Sequence, residues 1–293
     1  MIRNPYYPKA NIYKGQLHCH CSTDGDVATS VSDAVLEYKK AGYDFVCVTA
    51  HDAITENPNV QGIYYIPGCE ESGTCVPAEG KYQHFGRIGA KSVSDSTDSQ
   101  TVINSILADG SIACLNHANW GKMSVEDCLA LNGYHLFEIR NAAVELPLPG
   151  LNDDIHACEV MWDAILSNGM VVWGCAADDT HNYARKEFNS NCVMVYANTP
   201  DGILDSLRDG NFYFMENDSS TIIDIQVNGK QLSISVSLPS DFYFIGQGGI
   251  LLQQNKGVSK ASYRITGNEG YIRCRITNIA SQKNTWTQPI RID

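Results

Sequence analysis

Long apolar runs are missing from this chain, and with them a helical route through a membrane. The longest, such as Met170 to Cys175, fall far short of the roughly 20 residues that a bilayer span requires. The opening Met-Ile-Arg-Asn-Pro-Tyr-Tyr-Pro has one basic residue but no apolar core and no small-residue cleavage site, so no ordinary secretory signal is expected. Basic residues are also scarce. The 21 Lys and Arg face 33 Asp and Glu, and the net charge of -12 opposes nonspecific nucleic-acid binding. Although there are eleven cysteines, Cys-x-x-Cys is absent and the count is odd, which excludes a zinc ribbon and a full disulfide set. They fall in apolar stretches (Phe-Val-Cys-Val at Cys47, Ile-Ala-Cys-Leu at Cys114, Cys-Val-Met-Val from Cys192), where a free thiol packs as a small hydrophobe. The expectation is reduced, buried thiols in a cytoplasmic protein.

What is present suffices for a packed core: 43% hydrophobic and 18% charged residues over 293 positions. The first two hundred residues alternate β-rich runs with amphipathic segments. Strands are expected at 15–20, 45–51, 64–70, 112–117, 135–141, 170–177 and 192–197. Helices are expected at 31–41, 101–108, 125–131, 154–167 and 201–208. Ser30 or Ser32 caps the first helix and Gly42 stops it. Repeated βα units predict a parallel sheet with helices outside, open or closed into a barrel. From Thr221 onward the pattern alternates without helical periodicity, and Val227-Asn228-Gly229-Lys230 is a hairpin signal. The expected division is an α/β unit over 1–218 and a small antiparallel β domain over 219–293. The latter carries 8 Lys and Arg against 4 Asp and Glu, which leaves a strong acidic excess in the former. Apart from a polar loop at 92–100 there is no low-complexity tract, and there is no internal repeat.

Six of the eight histidines fall at or just past strand ends. His18 and His20, one residue apart, point to one face of a strand. His51 ends the second strand, Glu70 the third, and His84 follows it. His117 ends the fourth, and Asp179-Thr-His181 follows the sixth. Catalytic groups of βα-barrels converge at such ends, and imidazoles with carboxylates in this number suit zinc, manganese or iron. Asp24, before Gly25, reads equally as a turn residue or a ligand. Of Asp178 and Asp179 only one can face the site, and the Asp-x-His spacing favours Asp179 as ligand. Cys19 and Cys21 face the other way, into the core. His135, which opens a strand, and His156, in a helix, are assigned to structure.

These motifs together resemble the PHP (polymerase and histidinol phosphatase) superfamily. Gln-Leu-His-Cys-His, Asp24-Gly25 and Val-Thr-Ala-His-Asp are similar to its first two motifs. Ile-Pro-Gly-Cys-Glu, His-Phe-Gly, Leu-Asn-His-Ala-Asn and Ala-Asp-Asp-Thr-His are similar to the rest, in the same order. Trp173-Gly-Cys-Ala-Ala-Asp-Asp-Thr-His and the tail Tyr-Ile-Arg-Cys-Arg-Ile…Trp-Thr-Gln-Pro-Ile resemble the carbaryl-hydrolase-like (CehA/McbA) branch. The resemblance implies a distorted seven-stranded, TIM-like (βα) barrel and two or three divalent cations. It implies that His18 and His20 hold one with Asp179, that Glu70 bridges to a second held by His84 and His117, and that Asp24, His51 and His181 hold a third. The family's Thr-Asp-His and His-Pro become Thr49-Ala50-His51 and His117-Ala118 here, so a partner for an imidazole must be supplied from elsewhere.

Three functions follow as expectations. The first is a phosphoesterase in which clustered cations activate a bridging water, with Glu70 and Asp178 among the candidate catalytic residues and Arg87 and Arg140 as phosphate clamps or simple salt-bridge partners. The second is a carboxyl or carbamate ester hydrolase using the same site, with Trp120, Tyr183 and Phe188 lining an apolar pocket. The third is a non-catalytic protein whose metals are structural. The expected substrate is a small ester rather than a nucleic-acid polymer or a membrane, and a homo-oligomer is compatible with all three. Segment 73–100 is long and polar enough for a lid.

Overall fold

Residues 1–7, 11–74, 82–143 and 157–292 are described by the computed structural model. In chain order the strands are β1 (Ile2–Arg3), β2 (Asn11–Gln16), β3 (Phe45–Val48), β4 (Tyr64–Gly73), β5 (Gln83–Ile88), β6 (Ile112–Asn116), β7 (Leu136–Asn141), β8 (Trp173–Ala177), β9 (Asn191–Ala197), β10 (Phe212–Glu216), β11 (Ile222–Asn228), β12 (Gln231–Gly246), β13 (Ile250–Arg264), β14 (Tyr271–Asn278), β15 (Asn284–Trp286) and β16 (Ile290–Ile292). The helices are α1 (Val31–Lys40), α2 (Ser99–Ala108), α3 (Val125–Ala130), α4 (Ala157–Ser167) and α5 (Ile203–Asp209).

Local chemistry sets the helix ends. Ser30 caps α1 by accepting the Asp33 N–H, Asp98 caps α2 through Thr101, and Ser124 with Asp127 forms a capping box on α3. Gly42, at φ 80°, turns the chain out of α1 into β3. Helical spacing places Ala34, Val35 and Tyr38 on the buried face of α1, and Val102, Ile103 and Ile106 on that of α2.

The sheet runs β2-β3-β4-β5-β6-β7-β8. β2, β3 and β4 are mutually parallel, as are β6, β7 and β8. The expected uniform parallel order is corrected in between: β5 pairs antiparallel with both β4 and β6. β4 and β5 are successive strands paired antiparallel, with Gly73 opposite Gln83. Because β5 runs against its neighbours, its first residues lie at the rim where β4 and β6 end. His84 reaches the site from the start of a strand. A second correction concerns 192–197, expected as one more parallel strand. β9 lies antiparallel to β2, and β10 antiparallel to β9, and the ladder then continues through β15 and β14.

Beyond the ends of β2 and β8, Cys19 and Thr180 form a parallel bridge. Asp179 N–H donates to His18 O and His20 N–H to Thr180 O, each at 3.0 Å. The main-chain bonds thus lock together the two segments that carry His18, His20 and Asp179.

The C-terminal strands β11, β12, β13 and β14 are antiparallel, as the alternation predicts. They are tied to α4 by a buried ion network. Arg273 pairs with Asp163 and, at 2.7 Å, with Glu159, while Trp286 donates to the other Glu159 oxygen at 3.1 Å. The ten described cysteines are free and buried, and Cys19 and Cys21 sit in the core as expected. Among the described residues no helix is long and apolar enough to cross a membrane.

Candidate metal centre

Glu70 is the hub. It lies near the end of β4, 1% exposed, with its N–H on Ala50 O and its carbonyl accepting from Asp52. Its Oε1 lies 3.2 Å from His18 Nε2, 3.2 Å from His84 Nδ1 and 3.0 Å from His117 Nε2, and accepts Asn116 Nδ2–H at 2.9 Å. Its Oε2 lies 3.4 Å from His20 Nε2 and 3.3 Å from His51 Nδ1. Five imidazoles from four separate stretches of chain meet one carboxylate.

The tightest group is His18, His20, Glu70 and Asp179. His18 Nε2 and His20 Nε2 are 3.2 Å apart, and Asp179 Oδ1 lies 3.2 and 3.0 Å from them. Tetrahedral ligands at about 2.0–2.1 Å from a cation stand about 3.3–3.4 Å from one another, so these spacings suit a single shared ion.

The proton inventory points the same way. His18 Nδ1–H donates to Glu138 Oε1 at 2.9 Å, and His20 Nδ1–H to Asp24 Oδ2 at 3.0 Å. With the Nδ1 protons so placed, both Nε2 lone pairs face each other and three oxygens of two carboxylates. Asp179 Oδ1 and His84 Nδ1 are buried there without a hydrogen-bond donor or acceptor. A nest of lone pairs is repulsive unless a cation or extra protons occupy it. Two further groups, His20 with His51 and His181, and His51 with Glu70 and His84, extend the cluster outward to half-exposed imidazoles. The donor set therefore fits divalent metal.

Without a cation, protons take that place. Burial works against charge on His18, yet Glu70, Asp179 and Glu138 outweigh it and hold its pKa well above the usual imidazole value. Burial likewise opposes His20, but hydrogen bonds to Asp179 and Asp24 raise it to about 9. His117 shifts upward for the same reason, with Glu70 overcoming burial. His51, where burial prevails over Glu70, shifts down. Glu70 and Asp179 are held low despite burial, mainly by His18.

His117 (φ 23°) and Asp179 (φ 53°) both have left-handed backbone. Such conformations cost on the order of 1–3 kcal/mol and gather at functional sites.

Of the expected ligands, His18, His20, His51, Glu70, His84, His117, Asp179 and His181 come together. Asp24 joins the cluster as a support. One oxygen holds His20 Nδ1 and the other accepts the His51 backbone N–H at 2.5 Å.

Of the non-metal candidates, Arg87 and Asp178 are held by other partners. Arg87 is fully buried, bonded to Glu71, Asp109 and Ser105. Strand alternation puts it opposite His84 and Gly86, so it braces β5 against α2 and is no phosphate clamp. Arg140 Nε lies 3.6 Å from Glu216 Oε1 on β10, and burial lowers its pKa, with Glu216 offsetting part of that. Asp178 turns away from the cluster. It accepts Tyr38 Oη–H and the N–H groups of Asn189, Ser190 and Asn191 at 2.7 to 3.0 Å, and burial pushes its pKa up to about 7. Tyr183 and Phe188 pack with Tyr38 beneath the site, whereas Trp120 stands at its mouth. His156 and part of the expected 73–100 lid lie outside the described residues.

Three contributors escaped the sequence reading, Asn116, which donates to Glu70, among them. Glu138 holds His18 with one oxygen, and with the other accepts the His117 N–H and Asn141 Nδ2–H, each at 2.8 Å. Asn141 also donates to Asp179 Oδ2 at 3.1 Å. The signal was available: Glu138 and Asn141 flank Ile139-Arg140 at a strand end.

No protein-family model matches the chain, and no curated protein matches it. Among solved structures, an amidohydrolase from Chromobacterium violaceum with bound sulfate and no metal is 10% identical, covering 57% of this chain and 87% of its own, with a TM-score of 0.43 that carries no argument. A two-domain protein from Bacteroides vulgatus, containing a predicted PHP-like metal-dependent phosphoesterase, is 16% identical over 99% of this chain and 98% of its own, with a TM-score of 0.52. That likeness shows the fold: this chain shares the architecture of a protein with a PHP-like domain.

Proposed function

We propose that this protein is a metal-dependent hydrolase of the PHP type, acting on a small phosphate ester with two or three zinc, manganese or iron ions. The observation that carries the reading is the convergence of five imidazoles on Glu70, with the Nδ1 protons of His18 and His20 taken by Glu138 and Asp24. His18, His20, Glu70 and Asp179 would hold one cation, His84 and His117 with Glu70 a second, and His51 with His181 a third. When bound, such cations supply Lewis acidity and a water nucleophile at neutral pH. The protein's own part is positioning. Glu138 and Asp24 fix imidazole tautomers, Asn116 and Asn141 orient the carboxylates of Glu70 and Asp179, and burial keeps bulk water from the inner ligands. The seven-stranded barrel, its boundary at residue 218 and the separate β domain over 219–293 belong to the same proposal. Placement in the carbaryl-hydrolase-like branch rests on the sequence motifs.

Turnover of p-nitrophenyl phosphate, bis-p-nitrophenyl phosphate and p-nitrophenyl acetate tests it. Phosphoester hydrolysis that chelation abolishes and divalent metal restores is expected. Turnover of the acetate alone contradicts the phosphoesterase reading. One observation favours that second reading, a carboxyl or carbamate ester substrate: the exposed indole of Trp120 beside His84 and His117 offers apolar surface, while Arg87 is buried among Glu71, Asp109 and Ser105.

A further inference from the structure

Large aromatic side chains left in water are informative when they border a chemical centre. Trp120 is 37% exposed and Tyr82 57% exposed. Their ring centroids are 5.9 Å apart at 36°. The indole stands edge-on to His117 at 5.0 Å and tilted to His84 at 5.7 Å, so the pair adjoins two of the cluster's imidazoles.

The backbone is built to hold them there. Tyr82 N–H donates to Gly121 O at 3.0 Å, and Gly121 N–H to His117 O at 3.2 Å. A Cβ on Gly121 would lie 2.1 Å from the Tyr82 carbonyl oxygen, a contact no side-chain adjustment relieves. Only glycine lets the two segments approach this closely, and their approach brings the two rings together.

We propose that Trp120 and Tyr82 form an aromatic platform that selects esters with an aromatic leaving group, a specificity that rests on the phosphoesterase reading above. The ester group lies at the Glu70 cluster while the arene packs on the indole. In the hydrolysis of an aryl phosphate, the water oxygen bonds to phosphorus as the aryl oxygen–phosphorus bond breaks. The departing phenolate takes up the proton that water loses.

Aryl esters also react faster intrinsically, so the test uses binding. Calorimetry on the metal-loaded protein compares phenylphosphonate with methylphosphonate, with p-nitrophenyl phosphate turnover followed in parallel. The phenyl compound is expected to bind about 3- to 10-fold more tightly, in keeping with aromatic pair contacts. In Trp120→Ala the ratio falls to near one at unchanged metal content, and Trp120→Phe keeps most of it. Equal affinities in the unaltered protein overturn the platform, as does a ratio that survives Trp120→Ala. Weakening of both phosphonates alike in that variant also overturns it, because the indole then merely braces His84 and His117. If neither phosphonate binds and p-nitrophenyl phosphate is inert, the phosphoesterase reading falls and takes the platform with it. If p-nitrophenyl phosphate turns over but the phosphonates bind equally, the platform alone falls.

Discussion

Glu138 Oε1 lies 2.9 Å from His18 Nδ1 while its other oxygen accepts the His117 backbone N–H, so one carboxylate orients the His18 imidazole and anchors the main chain that carries His117. Removing such an outer partner weakens metal binding by about 10- to 100-fold. Glu138→Ala is expected to lose affinity in that range, measured by competition with a chromophoric chelator. Glu138→Gln, which keeps one acceptor oxygen, loses less. Wild-type affinity in Glu138→Ala contradicts the role.

The raised imidazole pKa values have a consequence for stability. His20 binds its proton up to about pH 9 when folded, against an ordinary value of 6.5. A group with a raised folded pKa contributes stability fully below its unfolded pKa and loses it as pH rises through the folded value. His18 and His117 shift in the same direction. Metal-stripped protein should therefore lose Tm between pH 6.5 and about 9. Metal-loaded protein should not, because the cation replaces the protons. Parallel Tm profiles for the two forms contradict this.

Arg273 lies among Asp163, Glu159 and Tyr271, fully buried. Arg273→Ala leaves Asp163 buried without its cation and Glu159 with only Arg275 at 3.6 Å and the Trp286 indole, and is expected to cost about 3–5 kcal/mol. Chemical denaturation measures it, and a loss below about 1 kcal/mol, the size of an exposed pair, refutes the buried-network account.

His135 is an internal control. It precedes β7, at the opposite end from Asn141, and its Nδ1 accepts the Ala113 N–H at 3.3 Å. His135→Ala should leave turnover and metal content unchanged while costing about 1 kcal/mol of stability. Loss of metal in this variant contradicts the assignment.

The cluster of imidazoles and carboxylates was legible because chemistry and periodicity agree there: histidines and acids recur at the rim ends of hydrophobic strands. The order of those strands was less legible. β5 was missed because Gln83–Ile88 is short and contains Gly86, and an antiparallel insertion leaves no mark on hydrophobic pattern. Alternation alone separates His84 from Arg87, so the buried position of Arg87 was there to be read. Glu138 was harder. The register against β8 shifts between Glu138 and Arg140, and such a bulge breaks simple alternation along the strand. Asp178 and Asp179 differ in environment, not in type: the one is gripped by the 189–191 backbone, the other aimed at His18 and His20.

Metal content per chain, measured by elemental analysis on protein purified without chelator, tests the central claim most directly. Two or three equivalents of divalent metal in the unaltered protein are expected, lost together with turnover in Glu70→Ala and His18→Ala. A metal-free preparation that hydrolyses esters at full rate, or a Glu70→Ala variant that keeps its metal and its activity, contradicts it.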